Sequence, residues 1–169
     1  MNSNLWRLAI KRTTMDAITP FFYEILLVDD HALVRQGVRR IIGEQCDLKV
    51  VGELKDGLEL LDALKTMQPQ LVILDISMPY LGGIEATRMI KVRHPEIKVL
   101  LLTLHNRREY VDQARLAGAE GYLLKDEMDK ELLAAIATLR RGGTYLSPLL
   151  SDNGFTTLFP GSSMDDPAT

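Results

Sequence analysis

The sequence predicts an α/β fold: a doubly wound parallel sheet of five strands with helices on both faces. Five short apolar runs lie between Ile25 and Leu124. Segments with apolar residues at helical spacing separate them. The runs are apolar almost throughout rather than alternating, so neither face of the sheet is left to water. Strands joined through helices need crossover connections, which makes them parallel.

The elements run in order along the chain. Ile25-Leu26-Leu27-Val28 is the first strand and ends at Asp29-Asp30. Residues Ala32 to Ile42 are helical, with Val34, Val38, Ile41 and Ile42 on one face and Gly43 closing the segment. Leu48 to Val51 is β-rich. Leu58, Leu61 and Leu64 mark a second helix that stops before Pro69. Leu71-Val72-Ile73-Leu74 is a buried strand ending at Asp75. Ile84 to Val92 is helical and stops before Pro95. Ile97 to Leu102 is a strand ending at Thr103. Arg107 to Leu116 is a polar helix with Gly118 beyond it. Gly121 to Leu124 is a strand ending at Lys125. Leu132, Ala135, Ile136 and Leu139 mark the last helix, closed by Gly142-Gly143. Right-handed crossovers leave few arrangements, and for five such units the strand order 2-1-3-4-5, flavodoxin-like, is a common solution.

Composition excludes several classes. Hydrophobic content of 46% and charged content of 25% are ordinary for a globular protein. No run of about 18 apolar residues exists, so no membrane span is expected. The net charge of −3 gives no electrostatic reason for nucleic-acid binding. Cys46, the single cysteine, makes no intramolecular disulfide or zinc cluster, which fits a reducing, cytoplasmic setting.

The chemistry sits at one edge. In a sheet of this kind ligands bind outside the carboxyl ends of the strands. Asp29 and Asp30, Asp75, Thr103 and Lys125 each come directly after an apolar strand. With the first and third strands adjacent, three carboxylates converge. Two of them about 5 Å apart repel by about 3 kcal/mol at an effective dielectric of about 20. Such a group wants a cation, and an all-oxygen donor set suits Mg²⁺. Of the histidines, His31 and His105 fall near this end without ligand spacing and read as surface or helix-start residues. Capping of the first helix explains one of Asp29 and Asp30, but not the polar residues that end the other strands.

Leu27-Val28-Asp29-Asp30-His31, Leu74-Asp75-Ile76-Ser77-Met78-Pro79, Gly82-Gly83, Leu102-Thr103 and Gly121-Tyr122-Leu123-Leu124-Lys125-Asp126 resemble the receiver domain of two-component response regulators. The resemblance covers about Glu24 to Gly143. His105, Lys125-Asp126 and Gly142 to Pro148 look most like the NarL/FixJ-type (LuxR-type) subfamily. The resemblance implies that Asp75 accepts a phosphoryl group from a sensor histidine kinase or a small phosphodonor. It implies that Asp30, Asp75 and the Ser77 backbone carbonyl ligate Mg²⁺ directly, with Asp29 acting mainly through water. Lys125 would pair with phosphoryl oxygens and Thr103 would hydrogen-bond one of them. Thr103 and Tyr122 would form the switch, with Tyr122 entering space that Thr103 vacates and moving the surface around Arg107, Arg108, Tyr110, Gln113 and Arg115. Asp126 stands where many receivers have proline. Ser77 gives no clear expectation for phosphoryl lifetime. Self-catalysed phosphotransfer and dephosphorylation belong to signalling, so a metabolic enzyme is not expected. A phosphatase of the haloacid-dehalogenase type would need Asp-x-Asp, and a dinucleotide enzyme Gly-x-Gly-x-x-Gly; neither is present. A third alternative, an inert homologue used for dimerisation, fits poorly with five filled active-site positions.

The ends differ from the middle. Residues 1–22 are expected to be a loosely ordered extension, with no signal-peptide pattern. The receiver is expected at 23–143, with a linker remnant and disordered tail at 144–169. That tail has no Lys or Arg, so specific DNA binding by this chain is not expected. A helix-turn-helix output domain would need about 50–65 residues. The chain is therefore expected to be either a stand-alone receiver acting through a homodimer or a downstream protein, or a NarL/FixJ-type regulator that has lost its output domain.

Overall fold

A computed structural model describes residues 21–151. The expectations for 1–20 and for the tail beyond 151 fall outside these residues. Strands β1 (Tyr23–Val28), β2 (Leu48–Leu54), β3 (Leu71–Leu74), β4 (Lys98–Thr103) and β5 (Gly121–Leu124) alternate with helices α1 (Ala32–Gly43), α2 (Gly57–Ala63), α3 (Gly83–Arg93), α4 (Arg108–Ala117) and α5 (Met128–Arg140). All pairings are parallel, and the strand order begins β2-β1-β3-β4-β5 as expected.

The sheet does not stop at five strands. Tyr145–Leu146 forms β6, parallel to β5 and on its outer edge, and one helical turn, α6 (Pro148–Leu150), comes after it. The sequence pattern places the end of the folded body at Gly143. It carries no sign of β6 because a two-residue strand has no periodicity; Leu146 and Leu150 are buried through contacts that only the tertiary fold supplies.

Every residue of β3 and β5 is buried, and one core lies on each face of the sheet. The α5 face matches the sequence pattern: Leu132, Ala135, Ile136 and Leu139 are all buried. The α2 face does not. Leu60 and Leu64 enter the core, whereas Leu58 is exposed, because Asp56 caps the helix through the amides of Leu58 and Glu59 and fixes a different register. Two backbone positions shape the carboxyl edge. A Cβ on Gly83 would run into the Asp75 carbonyl, so only glycine lets α3 begin against the end of β3. Gly118 ends α4 at φ 93°, the left-handed conformation in which glycine carries no steric penalty.

Candidate functional site

The carboxyl edge assembles as the strand ends require. Asp29 is placed by the amide it donates to the Leu54 carbonyl (3.1 Å), and Asp75 by its amide to the Val28 carbonyl (2.9 Å). Neighbouring ladders therefore bring the two carboxylates together, and both side chains are buried. Lys125, the first residue of a 3-10 turn (Lys125–Glu127), reaches between them: its Nζ lies 2.7 Å from Asp29 Oδ2 and 3.1 Å from Asp75 Oδ2. The lysine side chain is itself only 8% exposed, so this contact is screened little by solvent.

Charge at the edge is not balanced. Asp29, Asp30, Asp75 and His31 each offer a ligand atom, all within 4.8 Å of one another. Lys125 is one cation among three carboxylates. Asp29 Oδ2 is buried without a well-aligned hydrogen bond, so its nearness to Lys125 is a charge contact rather than a directed bond. The Asp75 carboxyl is pushed above its ordinary value by burial; Lys125 opposes this and Asp29 adds to it. Three carboxylates, one with an orphaned buried oxygen, outnumber the single imidazole of His31 in that group and fit a hard divalent ion such as Mg²⁺.

Thr103 is fully buried at the end of β4, and its Oγ1 accepts from the His105 amide at 3.1 Å. Tyr122 is also fully buried, with its hydroxyl donating to the His105 carbonyl at 2.7 Å. The expected switch aromatic therefore already sits inside, and both residues expected to form the switch meet at the backbone of His105. Burial, with Tyr110 and Asp75 nearby, pushes the Tyr122 hydroxyl upward, so it remains a donor at neutral pH.

The histidines take the places expected of them, His31 as the exposed N-cap residue of α1 and His105 just ahead of α4, but their contacts were not foreseen. His31 Nδ1 lies 3.0 Å from both Asp29 Oδ1 and Asp30 Oδ1, and its amide donates to Asp29 Oδ1 at 2.8 Å. His105 Nε2 meets Ser77 Oγ at 2.6 Å while its ring stacks on Tyr110 with centroids 4.0 Å apart. Arg35, half-buried and paired with Glu53, donates to the Asp29 carbonyl at 2.5 Å. The adjacency of His31 to the aspartates was a usable signal. The roles of Arg35 and His105 were not legible, because each depends on residues distant in sequence.

The model of the response regulator receiver domain matches residues 25–137. The chain belongs to the response regulator receiver family. DegU of Brevibacillus brevis, a transcriptional regulatory protein, is 38% identical over 131 residues, covering 77% of this chain and 55% of DegU. The chain thus spans little more than half the length of that relative. Among solved structures, a LuxR-family two-component response regulator from Aurantimonas sp. SI85-9A1 superposes with a TM-score of 0.74 at 35% identity, covering 78% of this chain and 94% of the other. The isolated receiver domain of RcsB from Salmonella enterica serovar Typhimurium, solved with the phosphomimetic BeF3⁻, gives a TM-score of 0.73 at 28% identity, covering 78% and 97%. This receiver is therefore a module of two-component signalling with LuxR-family relatives. Among the described residues no helix is long and apolar enough to cross a membrane.

Proposed function

We propose that this receiver accepts a phosphoryl group on Asp75 from a sensor histidine kinase, with Mg²⁺ bound, and switches a partner-binding surface. The observation that carries the reading is Lys125 buried between Asp29 and Asp75 in a cluster that still holds excess negative charge. An Asp75 carboxylate oxygen attacks phosphorus. The P–N bond to the kinase histidine breaks, and its electron pair returns to the imidazole, which takes up a proton. Lys125 is placed to pair with the phosphoryl oxygens, and the Thr103 hydroxyl to bond one of them. Asp30, Asp75 and the Ser77 carbonyl, with Asp29 behind them, would hold Mg²⁺, which when bound supplies positive charge to the transferring group. The buried Lys125 keeps Asp75 available as the ionised nucleophile against the opposing effect of burial.

Phosphorylation places about −1.5 to −2 charges where one carboxylate stood. Thr103 is then drawn toward the site, and the His105 backbone that it shares with Tyr122 moves with it. The output is a surface on α4 and β5 that a second copy or a downstream protein reads. The receiver unit runs from residue 23 through β6 and α6, and a kinase as phosphodonor implies a cytoplasmic setting. The LuxR-family relatives suggest that such a receiver serves a regulator whose DNA contacts lie in a separate domain.

The test is incubation with acetyl phosphate and Mg²⁺, then intact mass. The expected result is an acid-stable, base-labile adduct of about 80 Da, absent in Asp75→Asn. Continuous hydrolysis of phosphate esters without an adduct would point to a phosphatase instead. No adduct and no turnover would leave an inert fold.

A further inference from the structure

The segment after α5 is tied to both halves of the site's machinery. On one side it pairs with the strand of Tyr122: the Tyr145 amide donates to the Glu120 carbonyl and the Ser147 amide to the Tyr122 carbonyl, both at 2.9 Å. The Leu124 amide donates to Ser147 Oγ at 3.1 Å. On the other side it hangs on the turn that carries Lys125. Ser147 Oγ donates to Glu127, two residues beyond that lysine, and the Leu149 amide donates to the other Glu127 oxygen at 3.3 Å. Tyr145 donates to Glu131 on the next turn of α5. Ser147 is fully buried although it is polar, and its hydroxyl bonds to both β5 and the Lys125 turn.

Position adds a steric consequence. Leu146 and Leu150 are buried in the same cluster as the Tyr122 ring, and Leu146 is the register partner of Tyr122. β6 covers the outer edge of β5, and its Leu146 and the Leu150 of α6 close the cluster that holds that ring. A cavity of about 250 Å³ separates α6 from the end of β4, with Thr103, Leu104 and Asn106 on one wall and Leu149 and Leu150 on the other.

We propose that β6 and α6 form a strap that latches Tyr122 in its inward position, so that site occupancy and strap closure stabilise each other. This inference rests on the phosphoacceptor reading of Asp75. Coupling of this kind is reciprocal: whatever favours the inward tyrosine on filling the site must tighten the strap, and loosening the strap must weaken the filled site. The strap is also the segment through which the chain continues beyond Ser151, so its closure delivers the state of the site to the residues beyond it.

Amide hydrogen exchange on the full chain, with and without Mg²⁺ and beryllofluoride, tests this. Exchange at Tyr145, Ser147 and Leu124 is expected to slow about tenfold on filling the site. In the reciprocal arm, Ser147→Ala is expected to weaken beryllofluoride binding about fivefold. Tyr145→Phe, which keeps the backbone pairing, repeats that arm if Ser147→Ala does not fold. If the amides of His31 and Ser77 slow but those of the strap do not, the latch is overturned while the phosphoacceptor reading stands. If neither group slows, the phosphoacceptor reading fails, and the latch with it. Unchanged affinity in the folded strap variants overturns the latch as well.

Discussion

Both ends of the sheet hold a lysine against a carboxylate, largely shielded from solvent, yet the two pairs differ in kind. At the amino end Lys91 meets Glu120 at 2.6 Å and the Ile97 carbonyl at 2.5 Å. Glu120 also accepts from the Val99 amide at 2.9 Å and faces Lys98 at 3.5 Å. Lys91 and Glu120 each have directed partners there, and two lysines serve one acid. At the carboxyl end one lysine faces three acids, and Asp29 Oδ2 has no aligned bond. A satisfied pair fixes structure. An under-neutralised cluster stores repulsion that a ligand can relieve. The difference explains why only one end reads as chemistry, although the larger cavity, about 330 Å³ beside Tyr23, Lys98 and Arg140, lies at the other.

Substitutions can break this comparison. The largest effect is expected at Gly83→Ala, where the new methyl meets the Asp75 carbonyl; about 3 kcal/mol of stability should be lost in denaturant melts. Glu120→Gln strips Lys91 of its counter-charge and should cost about 2 kcal/mol, reduced from a fully buried pair because both side chains keep some exposure. That loss should be the same with or without magnesium. Magnesium at ten times its dissociation constant should stabilise the protein by about 1.4 kcal/mol, measured as a shift in melting midpoint. Asp29→Asn should raise metal-free stability by about 1 kcal/mol and diminish the magnesium response. Removing an acid would thus act with opposite sign at the two ends. A destabilising Asp29→Asn with an intact magnesium response would dissolve the distinction.

The smallest expected effect is on pH dependence. Burial raises the Asp75 carboxyl above its ordinary 3.8. Metal-free folding is therefore unpenalised by this group below about that value, and the penalty grows as pH rises through the folded-state value. Asp75→Asn removes the penalty. Its stability advantage over the natural protein should be absent near pH 3.5, grow as the pH rises and level off above the folded-state value, measured without magnesium.

Much of the site was legible because its residues stand directly after buried strands. Asp29, Asp75, Thr103 and Lys125 needed only the parallel topology to converge, and unbroken apolar runs dictated that topology. The histidines were harder. His105 is two residues past Thr103, but its importance comes from Ser77, Tyr110 and Tyr122, which loops and strands bring to it from elsewhere. Leu58 looked like a core position by spacing alone; the Asp56 cap turned it outward.

By itself the sequence determined the strand order, the chemical identity of the carboxyl edge and the family, because local apolar runs and the residues that end them encode all three. Tertiary structure alone decided the sixth strand, the inward Tyr122 and the charge imbalance around Lys125. Those depend on which distant groups come within bonding distance, and a one-dimensional pattern does not carry that information.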